Sequence, residues 1–177
     1  HILSWLAVNG TAAIVEFPGV LYRGGAEQKI RQYLIDNNYV DAVIQLPPDL
    51  FFGTTIATCI IVLKKSKHDN ATLFIDGSAG FVRSGSKNKL LPEHQQKILD
   101  AFVQRKSIDH FARLVDNGDI AANSYNIAVS SYVEQADTSE AIDITALNAE
   151  IARIVARQAE LRTQIDAIVA DLEGEQE

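Results

Sequence analysis

Two adjacent phenylalanines, Phe51 and Phe52, lie in a loop between two apolar stretches, where polar residues are the norm. The paired prolines Pro47 and Pro48 end the first stretch, because proline cannot donate a ladder hydrogen bond. Adjacent side chains do not easily point into one core, which leaves room for one ring to face a cleft. Two interpretations stay open: both rings close the edge of a sheet, which composition alone favours, or a ring stacks on a flat ligand such as a base.

A small basic cluster follows the second apolar stretch and consists of Lys64, Lys65 and Lys67. Lysines in this position are most often the solvated end of a strand. The alternative is that they contact phosphates of a nucleic acid, since such contacts hold a protein on DNA without reading its sequence. Both interpretations stay open on these residues alone.

The usual catalytic and metal-binding groupings are missing from the sequence. Its four histidines are scattered with no pair at metal-ligand spacing, and its single cysteine, Cys59, cannot form a zinc site. Cys59 lies in an apolar stretch, so we interpret it as a small core residue. Gly24 and Gly25 match neither a dinucleotide fingerprint nor a phosphate loop. We therefore expect no bound metal and no catalytic residue at these positions.

The elements that would position this loop are strands. The two apolar stretches, residues 41–46 and 57–63, have the apolar character of strands buried on both faces. Residues 11–17 predict another such strand, and apolar residues at helical spacing predict a helix that ends near residue 38. The order of strand, helix and strand suits a parallel crossover. The short connection at residues 47–55 instead favours an antiparallel final strand.

The chain beyond the lysine cluster is less regular. Residues 71–76 predict a further strand, residues 77–89 a loop rich in glycine, serine and lysine, and residues 92–106 a helix with proline in its first turn. Residues 124–133 alternate in polarity, which suggests a strand or an extended packing segment.

A heptad pattern begins after an expected linker at residues 138–142. Apolar residues recur at steps of three and four, with Gln158 at the one polar position of the seam, and they are Ile144, Leu147, Ile151, Ile154, Leu161, Ile165, Ile168 and Leu172. About four repeats favour a coiled coil, in which Gln158 would help to set the register. The seam needs a partner helix or, as the alternative, the much shorter helix at residues 92–106.

Composition limits the class of protein. The chain has 177 residues, which suits one domain with an appendage, and its formal net charge of −7 argues against a free-standing nucleic-acid binder. A single cysteine fits a reducing compartment, so we expect a cytoplasmic location. No apolar run approaches the roughly 20 residues that cross a bilayer. A chain that begins at His1 and lacks methionine is expected to be a piece of a longer protein.

Several short motifs in a fixed order resemble a known family. They are GGAE from Gly24, IR from Ile30, LP from Leu46, LF from Leu50, T-x-I from Thr54, KK from Lys64 and FID from Phe74. This order resembles the modification subunits of type I restriction-modification systems, which are adenine-N6 DNA methyltransferases. The resemblance covers residues 1–78 and continues more loosely through residues 123–127 and 132–133.

The resemblance implies an α/β fold: the last part of a doubly wound methyltransferase sheet whose final strand is antiparallel. Residues 11–17, 41–46 and 57–63 would be its last three strands, and S-adenosylmethionine would be the methyl donor. In the family, the donor's glycine-rich loop and the Asn-Pro-Pro-aromatic motif would precede His1. Pro47 and Pro48 lack the amide before them and the aromatic after them. The chain is therefore expected to carry no catalytic residue, to hold no donor and to be inactive alone.

The resemblance also assigns roles to the residues introduced above. Phe51 or Phe52 matches the position of an aromatic that stacks on a flipped adenine. Thr54 would support the loop or contact the DNA backbone, and the alternative, which its residue type favours, is that it serves the turn and the start of the strand. Lys64, Lys65 and Lys67 are the candidates for DNA phosphates.

Partners follow from the resemblance as well: DNA, a specificity subunit bound by the C-terminal helix, and a restriction subunit. The expected organisation is a catalytic-domain part at residues 1–89, a helical or irregular connection at 90–137 and a docking helix at 138–177. The alternative function is a non-catalytic assembly module that docks through its last helix.

Overall fold

The computed structural model describes residues 1–135 and 144–174 of the chain. The chain divides into two compact units, His1–Ala136 and Asp137–Glu177, and each unit is described by itself. Seven strands lie in the first unit: β1 Thr11–Glu16, β2 Val40–Gln45, β3 Cys59–Lys64, β4 Ala71–Asp76, β5 Val82–Ser84, β6 Lys87–Lys89 and β7 Ala112–Asp116. Its α-helices are α1 Ile2–Trp5, α2 Ala26–Asp36, α3 Pro92–Gln104 and α4 Asn117–Ala122, and two 3₁₀ helices span Pro18–Leu21 and Val129–Ser131. The second unit contains α5, Ile144–Gly174.

Five of the strands form one sheet in the order β1-β3-β2-β4-β7. β3 runs antiparallel to both β1 and β2, so these two strands point the same way and α2 connects them. β2 and β4 are parallel, and β7 is antiparallel to β4. Residues 47–55, which carry Phe51 and Phe52, are called the phenylalanine loop below. The strand after this loop was predicted to be antiparallel, and β3 confirms that prediction. The fold is mixed α/β with a mainly antiparallel sheet.

The sheet separates two apolar clusters because side chains alternate between its faces. On β4, Phe74 joins the cluster that includes Ile35 of α2 and Ile120 of α4. Its neighbours Leu73 and Ile75 join the other cluster, which contains Ala101 of α3. This packing accounts for the continuous apolar runs of the central strands in the sequence. β1, at the end of the sheet, is largely exposed along its length.

Two regions differ from their predicted structure. Residues 77–89 contain the antiparallel hairpin β5–β6, where Gly85 adopts a φ of +61° that permits the tight turn. Residues 124–133 form no strand, because Ser124 and Tyr125 have φ values of 55° and 56° and a 3₁₀ helix follows. Their alternation reflects packing instead: the ring of Tyr132 stacks on Phe74 at 4.3 Å between centroids.

In its described residues, 144–174, the second unit is one helix of 31 residues. Its seam side chains from Ile144 to Ile168 are exposed: Ile144, Leu147, Ile151, Ile154, Leu161, Ile165 and Ile168. Leu172 lies within the helix, but its side chain is outside the described residues, as is the expected linker at residues 138–142. Pairing of this seam with another helix stays a prediction. Within the described residues, no helix is both long and apolar enough to cross a membrane.

Candidate functional site

The phenylalanine loop leaves the sheet at the carboxyl ends of β1 and β2. Cys59, the first residue of β3, lies opposite Glu16 of β1 and Gln45 of β2, which are the last residues of those strands. Ligands of open α/β sheets bind outside the carboxyl ends of parallel strands. The loop therefore occupies the edge of this sheet where a binding site is expected.

Backbone hydrogen bonds close the base of the loop. The amide of Leu46 donates to the carbonyl of Thr58 at 2.9 Å, and the amide of Asp49 donates to the carbonyl of Thr55 at 3.3 Å. The hydroxyl of Thr54 accepts from the amide of Ile56 at 3.1 Å. These bonds hold both ends of the loop and leave residues 51–53 as its tip.

The two rings stand at this tip and do not close the edge of the sheet. Phe52 is 101% exposed and Phe51 is 39% exposed, so the interpretation favoured by composition is wrong. Leu50 instead packs against the apolar cluster beneath the loop. Burying a phenylalanine side chain stabilises a fold by about 1.5–3 kcal/mol, and Phe52 contributes none of this. Such a ring is free to contact a ligand.

The hairpin β5–β6 braces the base of the loop. The buried Asn88 donates from its side-chain amide to the carbonyl of Pro48 at 2.8 Å and from its backbone to the carbonyl of Asp49 at 3.0 Å. Arg83 donates to the Asp49 carboxylate and to the Asn88 side-chain oxygen, both at 3.1 Å. Lys87 donates to the carbonyl of Thr54 at 2.8 Å and lies 3.6 Å from the Asp49 carboxylate.

These contacts set the charge state of the loop. The hydrogen bond from Arg83 is the main reason why the pKa of Asp49 lies below its usual value, and the charge of Lys87 acts in the same direction. Asp49 is therefore a carboxylate paired with two cations at neutral pH.

Arg83, Lys87 and Asn88 were not predicted to belong to this region, because the sequence of residues 77–89 predicts a loop. The available signal was the Ser84-Gly85 dipeptide, which marks a turn. The contacts that give the hairpin its place join residues more than 30 positions apart, such as Lys87 and Thr54. Contacts between residues so far apart in the chain cannot be predicted from the periodicity of the sequence.

The lysine cluster, Lys64, Lys65 and Lys67, lies at the other end of the strands from the loop. Lys64 is paired in register with Thr11 at the start of β1, so it is separated from the loop by the length of β3, roughly 17 Å for a six-residue strand. Lys65 donates to the carbonyl of Leu6 at 2.6 Å. Lys67 donates to the carbonyls of Val40 and Ala71, each at 2.7 Å. The structure does not bring these lysines to the phenylalanines, and their contact with DNA stays a prediction.

No group of three or more histidine, cysteine, aspartate or glutamate side chains in the described residues could hold a metal ion. Cys59 is fully buried, and burial raises the pKa of its thiol to about 11. A thiol in this environment stays protonated and unreactive near neutral pH. The groups that the structure places at the loop and the hairpin are aromatic, amide and charged side chains.

Comparisons with known proteins identify the family of this chain. The sequence model of the family described as N-6 DNA Methylase matches residues 1–141. The chain is 47% identical over 97% of its length to the type I restriction enzyme MpnII methylase subunit of Mycoplasma pneumoniae, and it covers 32% of that subunit. It is 32% identical over 91% of its length to the type I restriction enzyme MjaVII methylase subunit of Methanocaldococcus jannaschii, and it covers 28% of that subunit.

A solved structure gives the same result. The chain is similar to the crystal structure of a type I restriction-modification system methyltransferase subunit from Streptococcus thermophilus, with a TM-score of 0.69 and 41% identity. The match covers 71% of this chain and 27% of that one, so the chain spans about a third or less of the length of the relatives named here. The chain therefore belongs to the N-6 DNA methylase family, among the methylase subunits of type I restriction-modification systems.

Proposed function

We propose that this chain forms part of a subunit that methylates adenine at N6 in DNA, within a type I restriction-modification complex. S-adenosylmethionine supplies the methyl group. The names of the relatives support the reaction class. The observation that carries the proposal within this chain is the fully exposed ring of Phe52, on a braced loop at the carboxyl edge of the sheet.

The proposed role of the loop is to stack on a flipped base. An enzyme that modifies an adenine must take the base out of the duplex, which costs a few kcal/mol. Stacking of a base on an aromatic side chain contributes about 1–3 kcal/mol, enough to offset much of that cost. Phe52 and the partly exposed Phe51 supply this surface, and Thr54 supports the loop through its hydroxyl and carbonyl groups.

We also propose that this chain does not hold the donor by itself. The turn at Gly24 and Gly25 contains only two glycines, and Gly25 caps α2 with a φ of 73°. Pro47 is buried just after β2. Leu46, the residue before it, has no side-chain amide oxygen to accept a hydrogen bond from the exocyclic amine of adenine. The proposed contribution of this chain to the reaction is therefore a wall of the base pocket.

Substitution of the two rings tests this function. We expect Phe52→Ala, in a complete subunit that contains this sequence and is assembled with its specificity subunit, to lower methyl transfer about 10-fold or more, because the stacking energy is lost. Phe51→Ala should have the smaller effect. Transfer is measured with tritiated S-adenosylmethionine and a duplex that contains the recognition sequence.

Two controls separate stacking from general damage. Phe52→Trp keeps an aromatic surface and should retain most of the activity. Tyr33→Ala removes an aromatic residue that is 56% exposed on α2, away from the loop, and should leave turnover unchanged. Wild-type turnover in both Phe51→Ala and Phe52→Ala would show that the loop is not part of the base pocket.

We also propose the roles of the three regions. Residues 1–89 contribute to the catalytic domain, residues 90–137 connect it to the last helix, and residues 138–177 dock on the specificity subunit. β7 lies in the connecting region and pairs with β4, so this region shares the main sheet. DNA and the restriction subunit are partners of the whole complex. The comparisons do not favour a non-catalytic assembly module, since the relatives named above are called methylase or methyltransferase subunits.

A further inference from the structure

The hairpin β5–β6 contacts both ends of the phenylalanine loop. Asn88 holds the residues that enter the loop, through the carbonyls of Pro48 and Asp49. Lys87 reaches the residue that leaves the tip, through the carbonyl of Thr54. The hairpin therefore fixes the two points from which the tip extends.

The anchoring groups are shielded from solvent, and one of them, Lys87, is charged, so their contacts are stronger than ordinary surface contacts. Asn88 is 6% exposed, and the side chains of Lys87 and Asp49 are 33% and 25% exposed. Hydrogen bonds in which one partner is charged are about twice as strong as neutral ones. Asp49 itself has a φ of 55°, in the left-handed region that aspartate adopts more readily than most residues.

The tip, by contrast, receives little support of its own. Phe52 is fully exposed, and a Cβ added to Gly53, whose φ is 81°, would meet no atom within 4 Å. The position of the rings thus depends on the two anchored ends and on Leu50, which packs against the apolar cluster beneath the loop. A displacement of about 1 Å in a group that orients a substrate can cost roughly 100-fold in rate.

We propose that Lys87 and Asn88 are positioning residues, which act on the target base only by holding the loop that carries Phe51 and Phe52. The inference rests on the proposed stacking function of that loop. The hairpin then braces the base pocket. The main role of Lys87 is to hold the loop, and attraction of DNA is secondary.

A matched pair of lysines on β6 separates this role from attraction to DNA. Lys87→Ala and Lys89→Ala each remove one positive charge from the same three-residue strand. Lys87 contacts the loop, whereas in the described part of the chain Lys89 is exposed and has no side-chain hydrogen bond or ion pair with the loop. Both variants are made in the complete subunit with its specificity subunit.

The readout is base flipping as well as turnover. The DNA probe is a duplex with the recognition sequence and 2-aminopurine at the target adenine, whose fluorescence rises when the base leaves the stack. We expect Lys87→Ala to reduce this rise and to lower kcat about 10-fold, with little change in DNA affinity. Lys89→Ala should keep the wild-type fluorescence and kcat. Equal losses in the two variants would overturn the inference in favour of a charge effect.

A double-mutant cycle tests whether Lys87 acts through the ring. If it does, Lys87→Ala should add little to the defect of Phe52→Ala, because the group being positioned is already gone. Fully additive defects would mean that Lys87 acts independently of the loop. Asn88→Ala should give the same non-additive pattern, and co-purification with the specificity subunit checks that this buried substitution still allows folding.

The results also distinguish this inference from the proposed function. A defect in Phe52→Ala without a defect in Lys87→Ala or Asn88→Ala would leave the base-pocket function in place and remove the positioning role. Wild-type flipping and turnover in Phe51→Ala and Phe52→Ala would instead remove the function on which the positioning role depends.

Discussion

At the scale of single residues, Lys67 is a charged side chain that is partly buried and bound to the backbone. Its ammonium group donates to the carbonyls of Val40 and Ala71, and burial lowers its pKa from 10.5 to about 8 although Asp69 and Asp41 favour the charged form. Between these two pH values, the unfolded chain binds more protons than the folded one. The free energy of unfolding therefore receives a contribution that increases from about pH 8 to pH 10.5.

Substitution of Lys67 tests this sign. We expect the rise in unfolding free energy between about pH 7.5 and pH 9.5 to be smaller in Lys67→Met than in the wild type, because the titrating group is gone. The measurement is urea unfolding at the two pH values. The comparison between proteins cancels the titration of other lysines and tyrosines. An identical pH dependence in both proteins would contradict the lowered pKa.

The phenylalanine loop shows what the sequence could and could not predict at this scale. The residue types placed both rings in a loop between two strands, and the structure agrees. Which side chain of the loop enters the core was not predictable, because loop residues follow neither the period of a strand nor that of a helix. Leu50 packs against the core and leaves Phe52 in solvent, so composition favoured the wrong interpretation.

At the scale of elements, the strands β1 to β4, each of six residues, were predictable from the sequence. Apolar, β-branched runs of this length, bounded by turn residues, are typical of buried strands. The short strands β5 and β6 were not predictable, since three residues carry no readable period and their place depends on contacts with Asp49 and Thr54. Of the two alternatives for residues 124–133, the strand was wrong for a related reason. The buried residues of this segment, among them Ile127 and Val129, contact the core from turns and a 3₁₀ helix.

The helix α5 carries a prediction of its own. Ile154→Glu and Leu161→Glu place charges in the centre of the exposed seam and should weaken binding of the specificity subunit about 100-fold or more, because a buried charge without a partner is costly. The measurement is co-purification followed by titration of the two subunits. Ala156→Glu adds the same charge to α5 opposite the seam and should bind normally. Unchanged binding in the two seam variants would rule out docking through this face.

At the scale of the whole molecule, the chain should not methylate DNA alone. Its sequence contains neither a glycine-rich donor loop nor an Asn-Pro-Pro-aromatic motif, and its net charge of −7 gives no general attraction to DNA. We expect no transfer of tritiated methyl groups above background from the isolated chain, with an assembled complete subunit as the positive control. Transfer by the isolated chain would mean that this chain itself contains the catalytic groups.

The exposed strand β1 has a practical consequence for such measurements. In the described residues it pairs only with β3, and its sequence contains no lysine or proline. Strand edges of this kind template pairing with other chains and lead to aggregation. Concentrated samples of the isolated chain would then contain edge-to-edge oligomers whose light scattering could be mistaken for association through α5. Dilution series of the α5 variants separate the two, since the seam substitutions leave the edge of β1 intact.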